Sequence, residues 1–195
     1  MNITRSDRSK LALWWWTVDR YLLSSFFVLM MCGIFLVMAS SQHLAENLNI
    51  PSHFFTVRHL FFGLLSIPII IFFSILNERQ TKIICIFGII ITTSLLFLIL
   101  FEGEKIKGAQ RWFNVGNLSF QPSEITKPLF VVFNAWLLSL WAEKNKFPGW
   151  MWSIASIILI STLLLLQPDL GMTIIMIFTW GFQLFITGIP LIIIL

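Results

Sequence analysis

The chain has 195 residues, 57% of them hydrophobic and 11% charged, with a mean hydropathy of +0.88. A soluble domain carries about 25% charged residues and a disordered chain is poor in apolar ones, so both classes are excluded. The net charge of 13 − 9 = +4 has to be read by position in so apolar a chain, and it does not argue for nucleic-acid binding.

Cys32 and Cys85 both fall inside apolar runs, which argues against a disulfide framework or a zinc site. No phosphate-binding G-x-x-x-x-G-K-[ST] loop, dinucleotide fingerprint or H-E-x-x-H helix is present, so ATP-driven, Rossmann and zincin chemistry have no support.

In chain order, residues 1–20 form a basic N-terminal segment with Arg5, Arg8, Lys10 and Arg20. A membrane-spanning helix needs about 20 mostly apolar residues. The predicted spans are 21–39, 54 or 60–76 with Pro68 as a kink, 83–101, 125–141, 150–166 and 170–186. The first has basic residues before it and small ones after, as a signal peptide does. Its length and the spans behind it argue instead for a retained helix. Gly188 and Pro190 mark a turn, and 191–195 read as the start of a seventh span, so the chain is expected to stop short of a whole protein. The fold class is thus an all-α polytopic membrane protein with six to seven helices present.

Lys and Arg positions set topology. The N-terminal four, Arg79, Lys82, Lys144 and Lys146 share one side; Arg58, Lys105, Lys107, Arg111 and Lys127 take the other. This split predicts a cytoplasmic N-terminus. Trp14–Trp16, Trp141, Trp150 and Trp152 lie at span ends on the inner side, as an interfacial belt does.

The loop 102–124 concentrates cations on the outer face against the positive-inside trend, which suggests an anion site; a merely solvated loop is the alternative. Gly103, Gly108 and Gly116 permit turns. Arg111 beside Trp112 offers a forked donor next to a flat ring, suited to a phosphate joined to a sugar or lipid. Equally, Trp112 and Phe113 can serve as headgroup-layer anchors.

Gln121-Pro122-Ser123-Glu124 reads as a helix start, with Pro122 at the first position and Glu124 in the first turn. Lys127, three residues on, shares the face of Glu124. The pair either satisfies itself or holds Lys127 for an anionic ligand. Gln167-Pro168-Asp169-Leu170-Gly171 repeats the grammar, with Pro168 placed first in the helix and Asp169 in its first turn. An ionisable residue with apolar flanks is a functional candidate; capping a tight turn is the competing role.

Three ordered motifs, Gly108-Ala109-Gln110-Arg111-Trp112-Phe113, Phe120-Gln121-Pro122-Ser123-Glu124-Ile125-Thr126-Lys127 and Gln167-Pro168-Asp169-Leu170-Gly171, resemble those of the SEDS family (shape, elongation, division and sporulation). The runs 14–20 and 37–41 resemble the cell-division branch, notably of alphaproteobacteria, more than the elongation branch. The resemblance covers nearly the whole chain but about the first half of a family member.

It implies a fold of ten spans with both termini cytoplasmic, and 21–195 as an incomplete transmembrane domain. It implies a peptidoglycan glycosyltransferase that polymerises lipid II outside the inner membrane at the division septum. The acceptor GlcNAc 4-hydroxyl would attack with inversion, a carboxylate taking its proton and cations or a divalent metal (Mg or Mn) stabilising the pyrophosphate. No covalently bound cofactor is implied. The family's proposed catalytic Asp lies in a later outer loop, so no catalytic residue is expected within this chain. Arg111, Trp112, Gln121, Ser123, Glu124, Lys127 and Asp169 carry over as residues that shape the cavity or contact lipid II. The implied partners are a class B penicillin-binding protein, other divisome proteins and membrane lipids. A lipid-linked precursor transporter and an inactive truncated scaffold are the competing readings, and an elongation-type polymerase is the runner-up within the family.

Overall fold

The computed structural model describes residues 10–106, 109–115, 118–143 and 147–188. The chain divides into two compact units, Met1–Asn77 and Glu78–Leu195.

The first unit holds α1 (Lys10–Thr17), α2 (Arg20–Asn47) and α3 (Phe54–Ile75). Asp19 caps α2, its carboxylate accepting from the N–H groups of Tyr21 (2.9 Å) and Leu22 (3.1 Å). The Arg20 guanidinium lies over the rings of Trp15 and Trp16, at 5.4 and 5.6 Å from their centroids. Trp14 Nε1 donates to Ser74 Oγ, 2.8 Å away near the end of α3, so this tryptophan is tied to a neighbouring helix. Helix α2 ends in a Schellman arrangement: Asn49 adopts φ 53°, its N–H donates to the Glu46 carbonyl and that of Ile50 to Ala45. Pro51 follows and stops the helix. Helix α3 runs through Pro68, as membrane helices tolerate.

The second unit holds α4 (Glu78–Glu102), β1 (Glu104–Ile106), β2 (Ala109–Val115), β3 (Leu118–Phe120), α5 (Pro122–Ala142), α6 (Gly149–Leu166) and α7 (Leu170–Thr187). Helix α4 begins a turn earlier than its apolar run because Glu78 and Lys82 pair at 2.6 Å across one turn and carry a polar start. The expected loop between α4 and α5 is instead a three-stranded antiparallel meander, β1-β2-β3. Phe113 stands opposite Phe120 and Val115 opposite Leu118; Glu104 stands opposite Trp112, with a register shift between Glu104 and Lys105. The connections at 107–108 and 116–117, each two residues with one glycine, lie outside the described residues.

Helix α5 is the hub, touching α4, α6, α7 and β2. Leu96 of α4, Phe130 of α5, Ile160 and Leu164 of α6 and Met176 of α7 form the centre of its core. Near the far end, Gly149 opens α6 directly against α5, where a Cβ would collide with the Leu137 carbonyl oxygen. Helix α7 closes on Gly188 at φ 78°, the turn the sequence marks. Pro190 and the seventh span at 191–195 lie outside the described residues, as do Arg5, Arg8, Lys107, Lys144 and Lys146.

Among the described residues, six helices, α2 to α7, are long and apolar enough to cross a membrane, in agreement with the six predicted spans.

Candidate functional site

Two regions far apart in sequence meet at one end of the second unit: β2 with the start of α5, and the α6–α7 turn. Arg111, mid-strand on β2, donates from Nε to the Gln167 carbonyl (3.3 Å) and from Nη2 to the Pro168 carbonyl. Its Nη1 faces Asp169 Oδ1 at 3.7 Å. Those carbonyls follow the last residue of α6, where helix geometry leaves acceptors unpaired and a cation is favoured.

Asp169 is the N-cap of α7, accepting from the Met172 N–H at 3.4 Å, and its own carbonyl accepts from Thr173 Oγ1 at 2.8 Å. This corrects the expectation that Pro168 opens the helix with Asp169 in its first turn. An Asp side chain reaches the free N–H groups from the capping position, so α7 starts at Leu170 and Pro168 precedes the cap. The second oxygen of Asp169 accepts from Gln121 Nε2 at 3.3 Å. Gln121 is itself the N-cap residue of α5, yet its side chain makes no bond to that helix. Gln167 is buried and donates from Nε2 to the Leu96 carbonyl of α4 at 2.7 Å.

Pro122 occupies the first turn of α5, as expected, and Glu124 follows it there. Glu124 Oε2 and Lys127 Nζ pair at 2.7 Å; the Glu124 side chain is 58% exposed and that of Lys127 29%. Ser123 is buried and its hydroxyl has no hydrogen-bond partner. Trp112, next to Arg111, is half-buried. The structure therefore gathers Arg111, Gln121 and Asp169 into one bonded cluster, and keeps Glu124 with Lys127 as a separate, more exposed pair. Each of the two cations has a carboxylate partner.

Among the described residues, no three His, Cys, Asp or Glu side chains converge as metal ligands.

Sequence reasoning missed a second polar cluster deeper in the bundle. Asn134 Nδ2 donates to Gln183 Oε1 (2.7 Å), Gln183 Nε2 donates to the Val131 carbonyl (2.8 Å), and Trp180 Nε1 donates to Ser153 Oγ (2.8 Å). The signal was available: amides within apolar helices are the polar groups that tie membrane helices together.

Six apolar helices and a sheet bonded to an interhelical turn define a multi-pass helical membrane protein with a polar node at one end of its second unit. The chain belongs to the FtsW/RodA/SpoVE family, whose model, described as "Cell cycle protein", matches residues 20–195. It is 31% identical over 188 residues to the probable peptidoglycan glycosyltransferase FtsW of Caulobacter vibrioides, covering 96% of this chain and 48% of that protein. Against the same-named protein of Escherichia coli O6:H1 it is 32% identical over 179 residues, 89% of this chain and 42% of that protein. Among solved structures it is similar to the rod shape determining protein RodA of Thermus thermophilus, with a TM-score of 0.67 and 26% identity over 90% of this chain and 56% of that one. It is also similar to a chain of a peptidoglycan synthase complex that coordinates polymerization and crosslinking, with a TM-score of 0.59 and 25% identity over 89% of this chain and 49% of that one. The chain spans about half the length of the curated relatives it matches.

Proposed function

We propose that this chain supplies the substrate-facing first part of a division-type peptidoglycan glycosyltransferase, one that polymerises lipid II on the outer side of the bacterial inner membrane at the septum. The observation that carries the reading is the 31% identity to an FtsW along 96% of the chain. The site supports it chemically. Lys127 lies in the second turn of α5, its side chain paired with first-turn Glu124 and so held near the helix start, whose dipole adds to its attraction for the pyrophosphate of a lipid-linked sugar. Glu124 holds the lysine in place until that anion arrives. Trp112 offers a flat apolar face to the sugar or prenyl chain, and Gln121 and Ser123 flank the helix start between them.

No residue of this chain is assigned the proton abstraction from the acceptor hydroxyl. A divalent cation in this reading would be held largely by the pyrophosphate itself, since Mg2+ sites commonly combine one or two carboxylates with substrate phosphates. A class B penicillin-binding protein is the proposed partner, supported by the similarity to a synthase complex that couples polymerization to crosslinking. Other divisome proteins and membrane lipids complete the proposed surroundings, with the N-terminus in the cytoplasm.

The test is reconstitution of the protein as the cell expresses it into vesicles with labelled lipid II. Glycan strands formed with the bilayer intact support the reading. Headgroup translocation without polymer would instead mark a precursor transporter, and neither activity would mark a scaffold. Lys127→Ala should lower polymer yield far more than it lowers membrane insertion; unchanged yield removes Lys127 from the site.

A further inference from the structure

We propose that Arg111 and Asp169 are positioning residues and not ligands of the substrate: they latch the β-meander to the α6–α7 turn and so set where Trp112 and the first turn of α5 stand. The activity arm of this inference rests on the polymerase reading above; its structural arm does not.

The donors of Arg111 are already committed. Two of its N–H groups serve two consecutive turn carbonyls, those of Gln167 and Pro168, and a third nitrogen faces the Asp169 carboxylate. A planar fork reaches two adjacent carbonyls and a carboxylate from three separate nitrogens at fixed spacing, whereas a lysine brings a single nitrogen on a flexible stem. The guanidinium thereby sits against the acceptor-rich end of α6 while its counter-ion caps the donor-rich start of α7, so one ion pair answers both helix termini.

Asp169 is equally committed. Its side chain is 8% exposed, its two oxygens accept from Met172 N–H and Gln121 Nε2, and its charge would repel a pyrophosphate. Gln121 gives up capping its own helix to make that bond. Gln167 ties the same turn to α4 through the Leu96 carbonyl. The turn is thus bonded to β2, to the start of α5 and to α4, and Arg111 is the strand residue that closes the circuit. Lys127, paired with a single exposed carboxylate, is left as the cation that can change partners.

The two roles separate experimentally with Arg111→Lys, Arg111→Ala, Asp169→Asn and the Arg111→Ala/Asp169→Asn double variant, all in the protein as the cell expresses it. A latch requires that lysine fail to replace arginine. It requires that Asp169→Asn, which removes the ion pair but keeps the cap to Met172 and the carbonyl bonds of Arg111, be harmful though less so than Arg111→Ala, and that the double variant be no worse than Arg111→Ala alone. Lipid II turnover should then lose about 10- to 100-fold in kcat, the range expected when positioned groups move by about 1 Å, with KM nearly unchanged. Independently of activity, backbone amide exchange in 109–115 and 118–120 should speed up in every variant. A substrate-ligand role gives the opposite pattern: Arg111→Lys stays active, Asp169→Asn lowers KM by freeing the guanidinium, and strand exchange does not change. That pattern overturns the inference. If the unaltered protein makes no polymer, the polymerase reading fails, and the exchange rates alone decide the latch.

Discussion

Gly149 shows how a single residue sets a helix contact. Its hydrogen occupies the space where a Cβ would run into the Leu137 carbonyl and press on the Trp141 side chain, and backbone oxygen cannot swing aside as a side chain can. Gly149→Ala should therefore push α6 off α5 and destabilise the fold by about 1–3 kcal/mol, the range for overpacking a fitted interface. Gly181 on α7 is the control, because a Cβ there meets nothing within 4 Å. Gly181→Ala should be neutral or gain about 0.5–1 kcal/mol from reduced backbone freedom in the unfolded chain. Thermal unfolding of the detergent-solubilised protein checks both, and equal stabilities would show that the α5–α6 approach does not depend on Gly149. The sequence alone could not rank these two glycines: Gly149 borders a predicted span and Gly181 lies inside one, and the difference lies in whether a neighbouring backbone passes within reach.

Among elements, α5 and α7 are joined by the Asn134–Gln183 bridge, which continues to the Val131 carbonyl. Asn134 is fully buried, and its Oδ1 has no partner. A double-mutant cycle on Asn134→Ala and Gln183→Ala should return a coupling of about 0.6 kcal/mol and at most about 1.7, the span measured for such bonds between membrane helices. A coupling indistinguishable from zero, read by unfolding in detergent or bicelles, would mean the bond contributes no pairing between α5 and α7. The helices themselves were legible in the sequence, since runs of about 20 apolar residues have few other uses. Their ends were less so: α4 starts earlier than its predicted span on its Glu78–Lys82 pair, and α7 starts at Leu170, after the Asp169 cap, and not at Pro168 as the motif suggested. The meander was not legible because two of its strands have three residues each, too few for a period-two pattern to stand out. The Glu124–Lys127 pair could be read from spacing, whereas the partners of Arg111 could not, since they lie 56 and more residues away and meet only through tertiary packing.

On the scale of the whole molecule, the bond network tests the span count independently of hydropathy. If α5 and α6 each cross once, the α4–α5 and α6–α7 connections must emerge on one face. Arg111, from the first, reaches Gln167, Pro168 and Asp169, from the second. Alternation then places Glu143, at the end of α5, on the opposite face. Which face is which depends on charge. Counted along the sequence over alternating spans, eight of the 13 cations fall on the Glu143 side, which predicts that this side is cytoplasmic. Ser119 on β3 and Glu143 are both exposed, so each tolerates a reporter cysteine once Cys32 and Cys85 are replaced by alanine. In intact cells an impermeant maleimide should modify Ser119→Cys and spare Glu143→Cys, and permeabilised cells should show both labelled. The reverse pattern would put the meander, Trp112 and the start of α5 in the cytosol, on the wrong side of the bilayer for a polymerase that works outside it. Labelling of both in intact cells would break the alternation, and with it the assignment of single crossings to α5 and α6.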